Sequence, residues 1–86
     1  MGAFKKKIYF FDVPENYLLT IFTISGEKII TIDSSDAPID EEGKVSWDLR
    51  TINNQEVAPG LYVFAVENRS QGFEGQKFVG KFAIIR

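Results

Sequence analysis

The side chains of this 86-residue chain that could carry chemistry are carboxylates and hydroxyls, because the sequence contains neither histidine nor cysteine. Histidine is the commonest general base, and histidine and cysteine are the usual zinc ligands. Their absence removes the usual catalytic triads, thiolate metal sites and disulfides. The serines lack their ordinary activating base, so we expect that this chain is not an enzyme.

One acidic segment, residues 33–43, has the composition of a cation site, because Ca²⁺ prefers carboxylate and carbonyl oxygens. Its candidate ligands are Asp33, Asp36, Asp40 and Glu41. Their spacing lacks the ligand positions and the closing glutamate of an EF-hand. Charge-rich segments are usually solvated, so a solvated loop without a cofactor is favoured over a calcium site. Calcium stays open as the alternative.

Trp47 and Tyr62 could contact a ligand, but their positions favour structural roles. Trp47 alternates in phase with Val45 and Leu49, which predicts that it points into the core. Tyr62 follows Pro59 and Gly60. This position predicts a corner tyrosine, with its ring buried and its hydroxyl bonded to the backbone.

A second aromatic set could form a carbohydrate-binding platform if its rings lie exposed in a row. Its members are Tyr9, Phe11, Tyr17 and Phe22. We also expect exposure among Phe11, Phe22 and Phe73, because twelve aromatic residues exceed what a small core needs. An exposed aromatic patch would indicate a partner surface.

The elements that must position these side chains are strands. Runs rich in Val, Ile, Tyr, Phe and Thr, separated by Gly, Pro and Asn, predict strands over residues 6–13, 17–24, 27–32, 44–50, 60–68 and 76–86. Ser25 and Gly26 predict a two-residue hairpin. The strand at 60–68 is apolar on both faces, which favours a central position or a strand whose outer face is covered. Gly80 predicts a bulge or close packing within the last strand.

This pattern predicts an all-β fold, an antiparallel immunoglobulin-like β-sandwich of six to seven strands. A small barrel such as an OB-fold is the alternative. We expect one domain over residues 4–86, with residues 1–3 a cloning remnant. The net charge of −2 gives no indication of nucleic-acid binding. No apolar run approaches the ~20 residues of a membrane span.

Five sequence features occur in an order that resembles a bacterial domain family. They are Pro14, LTIFTISGE (19–27), WDLR (47–50), NQEVAPGLY (54–62) and GKFAIIR (80–86). Together they resemble the C-terminal immunoglobulin-like domains of large secreted bacterial proteins. These include the FlgD Ig-like group and the type A sorting domains of the type IX (Por) secretion system. The chain departs from the family at Asn54, where glycine is usual, but asparagine adopts the same left-handed geometry.

The resemblance implies a non-catalytic module at the C-terminus of an exported protein, located outside the cell or at its surface. Its implied task is secretion sorting, surface attachment or structural support, with protein partners that dock on strand edges. The first and last strands are the candidate edges, and we expect the isolated domain to be monomeric. A carbohydrate-binding module and an assembly module like the hook-cap domain are the alternatives.

Overall fold

The structure, a computed structural model, describes residues 7–73 and 75–85. This part of the chain contains six strands and no helix. The strands are β1 (Ile8–Phe10), β2 (Tyr17–Thr23), β3 (Lys28–Asp33), β4 (Val45–Trp47), β5 (Gly60–Asn68) and β6 (Lys77–Ile84). The all-β prediction is therefore confirmed.

The strands form two antiparallel sheets. β1 and β4 make a small sheet, and the large sheet has the order β3-β2-β5-β6. In the small sheet Ile8 pairs with Trp47 and Phe10 pairs with Val45. Two separate sheets with side chains between them make a sandwich, so the barrel alternative is wrong. The strand predicted to be central, β5, lies between β2 and β6.

The core lies between the two sheets, and aromatic rings make the contacts from one sheet to the other. Phe10 of β1 contacts Phe64 of β5 edge-on, with ring centroids 5.1 Å apart. Trp47 of β4 contacts Phe82 of β6 at 6.2 Å, also edge-on. Such offset and T-shaped arrangements are the favourable ones for aromatic pairs. The described buried side chains are otherwise aliphatic or tyrosine: Val13, Tyr17, Leu19, Ile21, Val45, Leu49, Val57, Tyr62, Val66 and Ile84.

Both strands of the small sheet are shorter than the sequence predicts. The strand predicted over 6–13 is β1, which ends at Phe10, and Asp12 adopts a left-handed φ of 57°. The strand predicted over 44–50 is β4, which ends at Trp47, and Leu49 has a φ of 64°. A left-handed residue redirects the chain and ends the ladder. The predicted alternation still holds, since Val45, Trp47 and Leu49 are all buried.

The β2–β3 hairpin forms as predicted, but its loop is longer than two residues. Thr23 N–H donates to the Glu27 carbonyl at 2.8 Å, which leaves three residues in the loop. Gly26 N–H donates back to Thr23 O, and Gly26 takes a φ of 97°. This is the three-residue hairpin in which glycine supplies the left-handed position and a bulge follows.

The remaining strand boundaries differ from prediction by two residues at most. β5 has the predicted bounds, and β2, β3 and β6 shift by one or two residues at an end. Predictions that fall on Lys6 and Arg86 lie outside the described residues. Helix and strand ends commonly vary by this amount, so the strand assignment stands.

Candidate functional site

The acidic segment is ordered by its own carboxylates. Asp33 accepts hydrogen bonds from the Ser35 backbone N–H at 3.0 Å and from the Ser35 hydroxyl at 3.1 Å. These bonds, backbone first, lower the pKa of Asp33, and the positive charge of Arg69, 3.9 Å away, lowers it further. Hydrogen bonds to a carboxylate favour its charged form. Asp33 therefore acts as a turn-forming acceptor at the end of β3.

Asp40 has the same role at the other end of the segment. Its Oδ1 accepts from Glu42 N–H at 2.9 Å and from Lys44 N–H at 3.0 Å. Asp36 and Glu41, the other candidate ligands, are exposed. Among residues 7–73 and 75–85, no three acidic side chains come together as a group that could hold a metal ion. The calcium alternative thus gains no geometric support from these four residues.

Trp47 and Tyr62 lie where the sequence predicts them. Trp47 is buried, and its indole Nε1 donates to the Arg50 carbonyl at 3.0 Å. Tyr62 is buried, and its hydroxyl donates to the carbonyl of Ala58, four residues upstream. The indole N–H and the tyrosine hydroxyl therefore both have hydrogen-bond partners, as these groups usually do when they are buried. Neither residue is placed to contact a ligand.

The carbohydrate platform proposed from the sequence is wrong in one of its four members. Tyr17 is 0% exposed, and its hydroxyl donates to the Ala37 carbonyl. Burial, and secondarily the negative charge of Asp33, raises the pKa of Tyr17. Phe22 is half-buried, while Tyr9 and Phe11 are exposed. The four rings therefore do not form an exposed row.

Sequence reasoning missed the structural role of Tyr17, although a signal was present. Tyr17, Leu19 and Ile21 share one face of β2, and all three are fully buried. The period of two in a strand predicts this shared burial. The Tyr17 hydroxyl joins β2 to the segment after β3, so this tyrosine fastens the acidic segment to the sheet.

Both predicted edge strands lie at edges. β6 ends the large sheet, and β1 pairs with β4 and with no other strand among the described residues. β3 and β4 are also edges, which the sequence did not reveal. An edge strand presents N–H and C=O groups that can pair with another chain.

The described part of the chain has an apolar groove beside β1. One wall is residues 8–13, and the floor is made by Phe64, Val66, Phe78 and Phe82 of the large sheet. Its volume is about 380 Å³. Ligand-binding pockets in proteins have volumes of roughly 300–1,000 Å³, so the volume of the groove falls in the range of known ligand sites.

Two phenylalanine side chains at this groove are exposed although they line an apolar surface. Phe78 pairs with Val66 across β5 and β6, yet Phe78 is 66% exposed while Val66 is buried. Phe11, in the wall formed by residues 8–13, is 65% exposed. Large contiguous apolar patches are the kind of surface at which proteins bind partners. The sequence-based expectation of exposed aromatics is confirmed for Phe11 and also for Phe73.

The strands that border the groove carry more positive than negative charge. Residues 7–13 and 77–84 contain Lys7, Lys77 and Lys81 and a single acid, Asp12. All three lysines are exposed. A fourth, Lys44, has its ammonium 5.1 Å from the centre of the Tyr9 ring on the outer side of β1. Lys77 and Lys81 alternate with the groove residues Phe78 and Phe82 along β6, so they lie on the outer face of the sheet and not in the groove.

No protein-family model and no curated protein matches the chain. A solved structure shares its fold: PorZ of Porphyromonas gingivalis, described as an essential bacterial surface component of the type IX secretion system. The TM-score is 0.66 at 19% sequence identity, over 91% of this chain. The aligned part is 9% of PorZ, so the chain matches a small portion of that protein. At this identity the likeness shows a common fold.

The described residues also contain no helix that is long and apolar enough to cross a membrane.

Proposed function

We propose that this domain is a non-catalytic, immunoglobulin-like module of an exported bacterial protein. It acts in secretion sorting or cell-surface attachment by binding a protein partner, either a component of the secretion machinery or a neighbouring domain of its own parent protein. Its place of action is the cell surface or the extracellular space. Recognition uses strand edges and the groove beside β1.

The observation that carries this proposal is the fold shared with part of PorZ, a surface component of type IX secretion. The sequence supports it independently, through the WDLR and NQEVAPGLY segments that resemble type IX sorting domains. Two distinctive residues of those segments, Trp47 and Tyr62, are core elements. The resemblance at these two positions therefore reflects packing that the fold requires, and we assign partner recognition to the strand edges.

The chemistry of the described residues supports a binding role. The chain has no histidine or cysteine to act as base or nucleophile. The buried tyrosine hydroxyls of Tyr17 and Tyr62 both donate to backbone carbonyls. By contrast, β1 and β6 offer edges, and edge strands recruit extended partner segments by backbone hydrogen bonding.

The experiment is a fusion of the 86-residue chain to the C-terminus of a periplasmic reporter, expressed in a bacterium with a working type IX system. We expect the reporter at the cell surface or in the medium. The same fusion in a strain without the translocon should stay in the periplasm. A reporter that stays in the periplasm of both strains contradicts the sorting function.

A fold control separates recognition from stability in that experiment. Trp47→Ala removes a buried ring, a change that commonly costs about 3–5 kcal/mol in small cores. We expect this fusion to stay in the periplasm or to be degraded. Export of the Trp47→Ala fusion at the level of the unchanged fusion would show that a folded domain is not what the machinery recognises.

A further inference from the structure

We infer that one end of the sandwich docks on the surface of a lipid bilayer that carries anionic lipids. We call it the hairpin end, because the β2–β3 hairpin lies there, and we call the opposite end, which contains residues 34–44, the acidic end. Exposed aliphatic side chains of the hairpin end enter the bilayer, and basic side chains around them meet lipid phosphates. The inference goes beyond the proposed function and uses a surface other than the groove.

Strand pairing assigns the described loops to one end or the other. β2 ends near the start of β5 and near the end of β6, so the β2–β3 hairpin lies there. Trp47 ends β4 and contacts Phe82 near the end of β6, which places the following loop, residues 48–59, at the hairpin end as well. Ile8 pairs with Trp47, so the described chain also enters at this end. The loops after β1, β3 and β5 lie at the acidic end.

Exposed aliphatic side chains are concentrated at the hairpin end. Five large aliphatic side chains are exposed among the described residues, and the four at this end are Ile24, Ile52, Leu61 and Ile85. The fifth, Val79, lies opposite Ala65 near the middle of β5. The four are between 58% and 83% exposed, so they protrude from separate loops and strand ends. Protruding aliphatic groups can enter the boundary between headgroups and acyl chains, which adapts to their shape.

Charge is distributed along the same direction. In the half of the sandwich nearer the hairpin, four bases and three acids give a net charge of +1: Lys7, Lys28, Arg50, Lys81, Glu27, Asp48 and Glu56. In the other half, three bases and eight acids give −5: Lys44, Arg69, Lys77, Asp12, Glu15, Asp33, Asp36, Asp40, Glu41, Glu42 and Glu67. The sequence attaches Lys6 and Lys5 directly to Lys7, and Arg86 directly to Ile85. Such a polarity turns the hairpin end toward an anionic surface and the acidic end away from it.

A bilayer fits this end better than a second copy stacked end to end. The carboxylates that a second copy would offer are already engaged in their own turns. Asp33 accepts two bonds from Ser35 and lies 3.9 Å from Arg69, while Asp40 accepts two backbone bonds and lies 3.9 Å from Lys44. Lipid phosphates have no such partners. A protein partner would also need a separate pocket for each protruding side chain, whereas a bilayer needs none.

The structure supplies two matched pairs of variants, and all four positions are exposed. Ile52→Asp places a charge at the hairpin end, and Val79→Asp places the same charge on the outer face of β6, where the exposure is similar, 70% against 77%. Lys28→Glu and Lys77→Glu make one charge exchange in opposite halves of the sandwich. The fluorescence of Trp47 reports folding of each variant.

The test is sedimentation of the 86-residue chain with vesicles made of equal parts phosphatidylcholine and phosphatidylglycerol, compared with phosphatidylcholine alone. We expect binding to the mixed vesicles that weakens at least about tenfold without the anionic lipid and that falls as salt is added. Ile52→Asp should weaken binding to the mixed vesicles at least about tenfold, because it removes one buried isoleucine. Lys28→Glu should weaken it at least about fivefold. Val79→Asp and Lys77→Glu should each change it by about twofold or less.

Three results would overturn the inference: no binding to either kind of vesicle, equal binding to both kinds, or equal effects of the two variants within either pair. Self-association of the unchanged chain without vesicles, seen by light scattering and abolished by Ile52→Asp, would assign the hairpin end to a second copy instead. The reporter fusion tests the sorting function separately, because its readout is export and not vesicle binding.

Discussion

The Phe64 ring lies directly over Gly80, its partner on the neighbouring strand. A Cβ atom placed on Gly80 would be 2.5 Å from Phe64 Cζ and 2.6 Å from Phe64 Cε1. Such separations are far inside van der Waals contact. Glycine weakens a strand because it has no side chain to pack, and an aromatic ring that covers it from the next strand compensates. The close packing predicted from the sequence at this position is confirmed.

We predict that Gly80→Ala destabilises the domain by about 1–3 kcal/mol, because overpacking forces a ring out of its preferred position. The Phe64 ring cannot move freely, since it also packs against Phe10 at 5.1 Å and Phe82 at 6.1 Å. Urea unfolding followed by Trp47 fluorescence measures the change. As a control, Ala83→Gly at an exposed position of the same strand measures how much glycine by itself lowers the free energy of unfolding.

The coupling between the two residues is measured by a double-mutant cycle. In a Phe64→Leu background the space over Gly80 is larger, so Gly80→Ala should cost at least about 0.5 kcal/mol less than in the unchanged chain. Additive effects of the two substitutions would show that the contact between ring and glycine is not what constrains position 80.

We predict that Tyr62→Phe and Tyr17→Phe each cost about 1–2 kcal/mol. Each substitution keeps the buried ring but removes its hydroxyl group. The Tyr62 hydroxyl donates a hydrogen bond to the Ala58 carbonyl, and the Tyr17 hydroxyl donates one to the Ala37 carbonyl. Tyr9→Phe is the matched control, because Tyr9 is exposed and surface exchanges stay within about 0.5 kcal/mol. If all three substitutions have equal effects in urea unfolding, the two buried hydroxyls have no structural role.

The left-handed conformation of Asn54 predicts that glycine, but not alanine, can replace it. Asn54 has a φ of 63°, and its N–H donates to Thr51 O at 2.9 Å. Asn54→Gly should change stability by only a few tenths of a kcal/mol, whereas Asn54→Ala should cost about 1–2 kcal/mol, because a Cβ disfavours the left-handed region. Asn53→Ala, one residue earlier, is the control. A similar loss for Ala at both positions would argue that backbone conformation does not determine the choice of residue 54.

The lowered pKa of Asp33 predicts loss of stability in acid. The folded chain binds fewer protons than the unfolded chain between the two pKa values of this group. Its contribution is therefore fully present above the ordinary aspartate value of about 4 and is lost as pH falls through the lower folded value. Unfolding free energies measured from pH 6 to pH 2 should fall more steeply for the unchanged chain than for Asp33→Asn.

Ser35→Ala tests how much of the pH dependence of stability comes from the hydrogen bond of the Ser35 hydroxyl. It removes the hydroxyl donor to Asp33 and keeps the backbone donor. We expect a pH dependence between those of the unchanged chain and Asp33→Asn. Identical pH profiles for all three proteins would show that Asp33 ionisation is not linked to folding.

Some features of the fold follow from local sequence alone. Alternation at Val45, Trp47 and Leu49 fixes which side chains turn inward, because successive strand residues face opposite sides. Apolar residues on both faces of β5 indicate a strand with neighbours on each side, and the structure places β5 between two strands. Gly26 and Asn54 mark turns because the left-handed region excludes most other residues.

Other features could not be predicted, because they depend on contacts between distant segments. The sequence gives no sign that Leu49 is left-handed, because an aliphatic side chain such as that of leucine disfavours this conformation. Contacts that bury Leu49, together with the bond from Val57 N–H to its carbonyl at 2.9 Å, accompany that conformation. Likewise, Tyr17 reaches Ala37 across twenty residues of chain.

The groove beside β1 also depends on contacts between distant segments and could not be predicted. The sequence determined that Phe11 and Phe78 are aromatic and that lysines lie near them, and it identified the first and last strands as edges. Only the tertiary structure decided that β1 stops after three residues and leaves the floor of a groove open at Phe78. The physical reason is that exposure is a property of the opposing sheet. Whether a strand residue is covered depends on how far the facing strands extend, and local periodicity carries no information about that length.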